Sequence, residues 1–153
     1  MINVFDVEPA YRDGAPLAYA RGAVQIGPLV GASLLGASVY ELPAGVSVCP
    51  YHYEYGREEW LLVLAGRPTL RMPEGERELG PGDVVCFREG RAGAHKVTNR
   101  GDDTARVMIF STKQMPVVFV YPDSDKLAVG VGNPDDYLIV RRSSGVDYFD
   151  GEV

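Results

Sequence analysis

Glycine and proline interrupt this 153-residue chain so often that they leave little room for long helices. The sequence contains 18 glycines and 11 prolines, and the segments between them are short and rich in Val, Leu, Tyr and Phe. β-Branched and aromatic residues favour strands, whereas Gly and Pro mark the turns between strands. Short strands with turn signals about every eight to twelve residues are typical of a β-sandwich or barrel. The spacing therefore predicts an all-β fold with few or no helices.

The turn signals divide the chain into ten expected strands. A hairpin tip is expected at Met72–Glu76, where Pro73 has a suitable fixed φ and Gly75 accepts a positive φ. A second tight turn is expected at Gly80–Asp83. The expected strands are Tyr19–Ile26, Ser33–Leu42, Ser47–Tyr53, Glu59–Leu64, Thr69–Met72, Glu76–Leu79, Asp83–Phe87, His95–Thr98, Ala105–Ser111 and Val117–Tyr121.

Two segments near the C-terminus are not assigned to strands. Lys126–Asn133 is rich in glycine and is expected to be a structural loop, because it lacks the G-x-x-x-x-G-K-[ST] pattern and the strand–helix context of a phosphate-binding loop. The tail Arg141–Val153 places two aromatic residues among charged ones. It fits either an ordered arm packed on the barrel or a frayed end, and we favour the arm.

Length and charge limit the classes of function. A chain of 153 residues is the size of one domain, so we expect a single domain over residues 1–153. The net charge of −6 argues against DNA or RNA as a partner, because proteins that bind nucleic acids present basic surfaces. No apolar run approaches the roughly 20 residues that cross a bilayer, and the N-terminus lacks the pattern of a secretory signal. We therefore expect a cytoplasmic protein, with Cys49 and Cys86 as reduced, buried thiols.

The stretch Tyr51–Gly66 places one histidine and three acidic residues immediately before or at the start of a continuous apolar run. Residues two apart in a strand share a face, so His52 and Glu54 point the same way. If residues 55–58 form the connection of a hairpin, Glu59 at the start of the next strand lies beside them. Desolvated carboxylates require a partner. These three side chains are therefore a candidate binding site.

This region resembles the first motif of the cupin superfamily, G-x5-H-x-H-x(3,4)-E-x6-G. His52 matches the first histidine, and Glu54 stands at the position of the second. Glu59, followed by six residues and Gly66, matches the glutamate and the final glycine. The opening glycine is displaced by one residue, to Gly45.

The second cupin motif, G-x5-P-x-G-x2-H-x3-N, is matched later in the chain. Gly82 and Gly90 stand at the two glycines. His95 and Asn99 match the histidine and the asparagine, with two extra residues before His95, and Arg88 replaces the proline. The resemblance covers about residues 43–111, and the N- and C-terminal extensions are expected to pack on the barrel.

The resemblance implies a jelly-roll β-barrel of two antiparallel sheets that binds a divalent metal ion, with Zn, Mn, Fe, Ni and Co as candidates. The implied ligands are His52, Glu54, Glu59 and His95, two His and two Glu where a cupin usually has three His and one Glu. The chemistry agrees, because two carboxylates that face each other at low dielectric repel unless a proton or a cation intervenes. Imidazole and carboxylate also suit these metals. The resemblance further implies a homodimer.

The implied function is that of a metal-dependent enzyme acting on a small oxygenated molecule, such as a sugar derivative or an organic acid. Isomerase, dioxygenase and decarboxylase chemistry all occur on this fold, and the fold does not choose among them. The alternative is a non-catalytic cupin that binds a small molecule and has a structural metal or none. In that case His52 and Glu54 form a hydrogen-bonded polar pair.

Other residues have simpler interpretations. Glu58 is expected to be solvated, and Trp60 is expected to pack rather than to recognise a ligand. Arg71 could hold an anionic substrate if it points inward, but we favour an outward surface charge. Cys86 is expected in the core, and Cys49 in packing or at an edge.

Overall fold

The computed structural model describes the backbone of residues 1–153 and every side chain except that of Pro134. It contains thirteen strands, one four-residue α-helix (α1, Ile26–Leu29) and several short 3-10 turns. The strands are β1 Ala10–Tyr11, β2 Gly22–Gln25, β3 Leu35–Leu42, β4 Tyr53–Tyr55, β5 Glu59–Ala65, β6 Thr69–Met72, β7 Gly75–Glu78, β8 Val84–Phe87, β9 Lys96–Thr98, β10 Ala105–Thr112, β11 Val117–Tyr121, β12 Lys126–Gly130 and β13 Leu138–Arg141. The expected all-β, jelly-roll architecture is confirmed.

The first layer is a six-stranded antiparallel sheet in the order β1-β2-β3-β10-β5-β8. Strand alternation turns Glu59, Leu61 and Val63 of β5 to the same face. Leu61 and Val63 are buried there against Val107 and Ile109 of β10. Glu59 therefore begins a row whose other members form the hydrophobic core.

The second layer consists of two strand groups, β13-β12-β11-β4 and β7-β6-β9. A bridge between His52 and His95 joins the groups, because these residues immediately precede β4 and β9. The backbone N–H of each histidine donates to the carbonyl of the other, at 3.1 and 2.8 Å. We call this junction the histidine seam.

The chain is irregular just before the histidine seam. Ser47 pairs with Thr98, and His52 pairs with His95, so five residue steps on one side oppose three on the other. The two extra residues lie within Cys49–Tyr51, where Pro50 has no N–H to donate to a ladder. For this reason the strand expected at Ser47–Tyr53 is interrupted, and regular pairing resumes only at β4.

Three expectations for the outer parts of the fold are wrong. Lys126–Gly130 is a strand, β12, because its hydrophobic residues pair with β11 on one side and β13 on the other. The residues after Arg141 are exposed, including Tyr148 and Phe149, so the tail does not pack on the barrel. Cys86 is exposed rather than in the core, because its neighbours Val85 and Phe87 take the inward positions of β8.

The remaining features agree with the sequence. Leu42, Leu70 and Val97 lie in the core between the layers. The two cysteines are free thiols, with Cys49 partly buried. Among the residues described, no helix is long and apolar enough to cross a membrane.

Candidate metal centre

The two histidines of the chain meet inside the barrel at the histidine seam. Their ring centroids are 4.7 Å apart, and both residues are buried. His95 also stacks on Phe87, with centroids 3.6 Å apart and planes 6° from parallel. The seam therefore fixes the position of both imidazoles.

Backbone carbonyls fix which ring nitrogen of each histidine is free. Nδ1 of His52 lies 3.0 Å from the carbonyl oxygen of Pro50, and Nδ1 of His95 lies 2.9 Å from that of Gly93. A carbonyl can only accept, so each Nδ1 carries the proton that it donates. This leaves both Nε2 atoms as ligands, and carbonyl-oriented imidazoles are typical of metal sites.

Glu59 completes a group of three. Its Oε2 lies 3.5 Å from Nε2 of His95. The potential ligand atoms of His52, Glu59 and His95 all lie within 4.8 Å of one another. Glu59 reaches them from the first layer, whereas the histidines belong to the second. β4 and β5 do not pair as a hairpin, so these groups converge because the inner faces of the two layers oppose each other.

Glu54 lies beside this group rather than within it. Its Oε1 is 3.4 Å from Nε2 of His52, and the residue is 6% exposed. Its other oxygen, Oε2, is buried without a hydrogen-bond partner. Its role as a fourth ligand stays a prediction.

The donor set fits a divalent transition metal ion. Two imidazole nitrogens and at least one carboxylate are the ligands that Zn, Mn, Fe, Co and Ni accept. Nε2 of His95 is buried without a hydrogen-bond partner, as is Oε2 of Glu54. Orphaned buried polar atoms are rare in folded proteins. A cation at this point would satisfy Nε2 of His95 directly.

The charges around His52 also favour a cation. Burial lowers the pKa of His52, but the hydrogen bond and charge of Cys49, together with the carboxylates of Glu54 and Glu59, outweigh burial and raise it. The net raised pKa reflects an excess of negative charge around the ring. A metal ion would replace the proton that this charge attracts.

Aromatic side chains form a wall on one side of the centre. The ring of Tyr121 lies 5.8 Å from that of His52, and the ring of Phe119 lies 6.4 Å from it. Burial, followed by the neighbouring Tyr137, raises the pKa of Tyr121, so its hydroxyl keeps its proton. We did not identify this wall from the sequence, although the alternation in VVFVY places both rings on one face.

Two further motif residues support the fold rather than the centre. Asn99 is buried, and its Nδ2 donates to the carbonyls of Leu42 and Asp103, both at 2.8 Å. Gly66 has φ of +76°, and a Cβ there would lie 2.7 Å from Cα of Ala105. Asn99 therefore joins two loops by hydrogen bonds, and Gly66 allows two backbone segments to pack closely.

The simpler interpretations of Glu58 and Arg71 are confirmed. Glu58 is exposed and accepts a hydrogen bond from Nε1 of Trp60 at 3.0 Å. Arg71 points outward and forms a bidentate ion pair with Asp123, at 2.6 and 3.0 Å. Its guanidinium also lies 3.9 Å from the ring centroid of Tyr51. Arg71 is already paired and faces away from the metal centre.

Comparison with known proteins agrees with this architecture. A family model described as "Cupin domain" matches residues 38–111. A search of curated proteins finds no matching sequence.

Three solved structures are similar to this chain. A proposed sugar phosphate isomerase from Acidithiobacillus ferrooxidans has a TM-score of 0.83 and 22% identity, over 96% of this chain and 95% of that one. A cupin-superfamily sugar phosphate isomerase from Silicibacter pomeroyi has a TM-score of 0.81 and 21% identity, over 98% of each chain. The polyketide cyclase RemF from Streptomyces resistomycificus has a TM-score of 0.61 and 21% identity, over 76% and 82%. At such identities the likeness establishes the fold, and the family model identifies residues 38–111 as a cupin domain.

Proposed function

We propose that this protein is a metal-dependent isomerase that acts on a small sugar derivative bound inside the barrel. The observation that carries the proposal is the convergence of His52, Glu59 and His95 on one point, with both Nε2 atoms directed to it by backbone carbonyls. Two solved structures that match nearly the whole chain are of proteins named as sugar phosphate isomerases, which supports this class of substrate.

The residues around the centre suit a reaction that is redox-neutral. When bound, a divalent ion supplies Lewis acidity toward a carbonyl or hydroxyl oxygen. Aldose–ketose isomerisation moves one proton from C2 to C1 and the hydroxyl proton of C2 to the oxygen on C1, so it requires no oxidant. The proton that moves between the carbons needs a base. We assign the transfer of that proton to Glu54, whose Oε2 is buried, free of hydrogen bonds and next to the ligand His52.

The test combines metal analysis with an exchange assay. Purified protein is loaded separately with Mn, Fe, Co, Ni or Zn and incubated in D2O with D-glucose 6-phosphate or D-ribose 5-phosphate. Proton NMR should show ketose formation, with deuterium at C1 of the ketose and at C2 of the aldose re-formed from it, with at least one metal, and EDTA should abolish both. If no metal supports exchange on either substrate, the isomerase proposal is rejected.

Glu54→Gln separates two roles for this residue. If Glu54 is the proton-transfer group, its replacement should abolish exchange but leave the metal affinity within a few-fold of wild type. If Glu54 is a fourth ligand, its replacement should lower the metal affinity. Metal titration of the variant by calorimetry measures which of the two occurs.

The second candidate is a non-catalytic binding protein, and the aromatic wall of Phe119 and Tyr121 is the observation that favours it. Aromatic faces bind sugars without any chemistry, and the contact of His52 with Glu54 at 3.4 Å is compatible with a polar pair. Equal affinity for a sugar phosphate in metal-loaded and EDTA-treated protein, without exchange, would favour this candidate.

A further inference from the structure

A cavity of about 420 Å³ opens beside the metal centre. Such a volume lies within the range of small-molecule sites. One of its walls is Phe119, whose other neighbour is the ring of His52, 6.4 Å away. The side chains that line the cavity are Arg57, Met115, Val117, Phe119, Asn133 and Tyr137. We call it the Arg57 cavity.

Arg57 is the cationic side chain of this lining, and it has no ionic partner. Among the side chains that the structure describes, no carboxylate forms an ion pair with it. Its Nε is buried without a hydrogen-bond partner, and Nη2 reaches only the sulfur of Met115, at 3.9 Å. The guanidinium lies 5.8 Å from the ring centroid of Phe119. Buried polar atoms usually have a hydrogen-bond partner, so the orphaned Nε of Arg57 requires one.

Three carboxylates close to this turn have other partners. Glu58 accepts a hydrogen bond from Trp60, and Glu59 faces His95. Glu89 accepts a hydrogen bond from the N–H of Gly56, at 2.6 Å. None of these three carboxylates forms an ion pair with Arg57, whose guanidinium lines the cavity.

We propose that the Arg57 cavity binds the anionic end of the substrate, a phosphate or carboxylate on a small polyhydroxylated molecule, through the guanidinium of Arg57. Arginine binds such oxyanions bidentately, and the low-dielectric surroundings strengthen the contact. The rest of the substrate extends past Phe119 to the metal centre. This assignment deepens the proposed function and rests on it for the placement of the reacting end, because the metal centre is taken as the site of chemistry.

A second cavity with arginines provides the control. It is also about 420 Å³ and is lined by Arg91, Arg142, Tyr51 and Tyr53. The two tyrosines flank His52 in sequence and so point to the opposite face of the strand. Tyr121 of the aromatic wall also lines this cavity, so it is the rival site for an anion. Arg142→Gln therefore removes a matched charge from the rival cavity, whereas Arg57→Gln removes it from the proposed one.

The experiment is calorimetric titration of metal-loaded wild type, Arg57→Gln, Arg57→Lys and Arg142→Gln. The probes are D-ribose 5-phosphate, D-gluconate and neutral D-ribose. We expect wild type to bind one of the two anionic probes at least tenfold more tightly than D-ribose. The anion that it prefers identifies the substrate as a sugar phosphate or a sugar acid. Arg57→Gln should lose about thirty-fold in affinity for that anion and little for D-ribose, Arg57→Lys should lose less, and Arg142→Gln should match wild type.

Three results would overturn the assignment. They are failure of wild type to bind either anion at millimolar concentration, unchanged anion affinity in Arg57→Gln, or an equal loss in Arg142→Gln. Circular dichroism and the metal-induced rise in melting temperature verify that each variant is folded and loaded. Binding is measured here without turnover, so the two proposals can fail separately. If anion affinity depends on Arg57 but the protein shows no exchange, the isomerase proposal is rejected and the anion site is retained.

Discussion

Replacement of Glu59 by Gln tests whether a metal ion joins the two layers of the barrel. Glu59 is the ligand from the first layer, and its amide replacement keeps the shape but loses the charge. Loss of groups that only orient metal ligands lowers affinity by about 10–100-fold, so removal of a carboxylate ligand should lower it by about 100-fold or more. Stabilisation by metal should therefore fall at any fixed ion concentration.

The expected magnitude follows from mass action. At a free ion concentration of 100 times Kd, binding stabilises the native wild type by about 2.7 kcal/mol. In a chain of this length that raises the melting temperature by about 5–11 °C. At the same concentration, a hundred-fold weaker Glu59→Gln gains only about 0.4 kcal/mol, or roughly 1–2 °C.

Differential scanning calorimetry with and without the ion measures both shifts. The matched control is Glu58→Gln, which removes the same charge from the adjacent, exposed position and should retain the full wild-type shift. The difference between the two variants separates the loss of a metal ligand from the loss of one negative charge. A full shift in Glu59→Gln, or no shift in wild type with any of the five metals, would refute the three-residue site.

Other properties follow from the same structure. Asn99→Ala should destabilise the fold by about 3 kcal/mol, because it removes two donors to buried carbonyls, and urea denaturation should show this with an unchanged metal-induced shift. Because the raised pKa of His52 keeps this ring protonated near neutral pH, binding at pH 7.5 should release about one proton per ion and weaken as pH falls; calorimetry in buffers of different protonation enthalpy measures the release. Hydrogen exchange at the amides of His52 and His95 should slow when metal binds, while amides in β10 stay unchanged. The resemblance to cupins, rather than the structure, leads us to expect a homodimer in sedimentation velocity, and a monomer at micromolar concentration would contradict this expectation.

Much of the fold is predictable because turns and burial leave local signals. Thr69–Met72 and Val117–Tyr121 were placed without error, since Gly or Pro lies close to each and hydrophobic residues fill them. The sequence does not reveal β12 because Gly130 and Gly132 at its end resemble a loop, and only its pairing with β11 and β13 makes it a strand. Cys86 was misplaced because an apolar run does not reveal which alternate positions face the core.

The candidate site was partly predictable for a similar reason. Alternation gives His52 and Glu54 a common face, which is a local property. The approach of His95 is not local, since 43 positions separate it from His52 and only the bridge between them brings the rings together. The resemblance to a known family supplied that contact. The free state of Arg57 had no sequence signal, because it depends on where Glu58, Glu59 and Glu89 find partners.

One short segment carries most of the proposed chemistry because it crosses between the layers. His52 and Glu54 face inward from the second layer, and Glu59 faces inward from the first, so residues 52–59 present groups to the interior from both sides. The crossing depends on Gly56, whose φ is +82° and where a Cβ would lie 2.6 Å from the carbonyl oxygen of Pro116. Any side chain there would push the turn outward and move Arg57 from its cavity. This turn therefore positions the proposed ligand Glu59, the proposed proton-transfer group Glu54 and the proposed anion-binding Arg57. All three depend on the backbone geometry at Gly56.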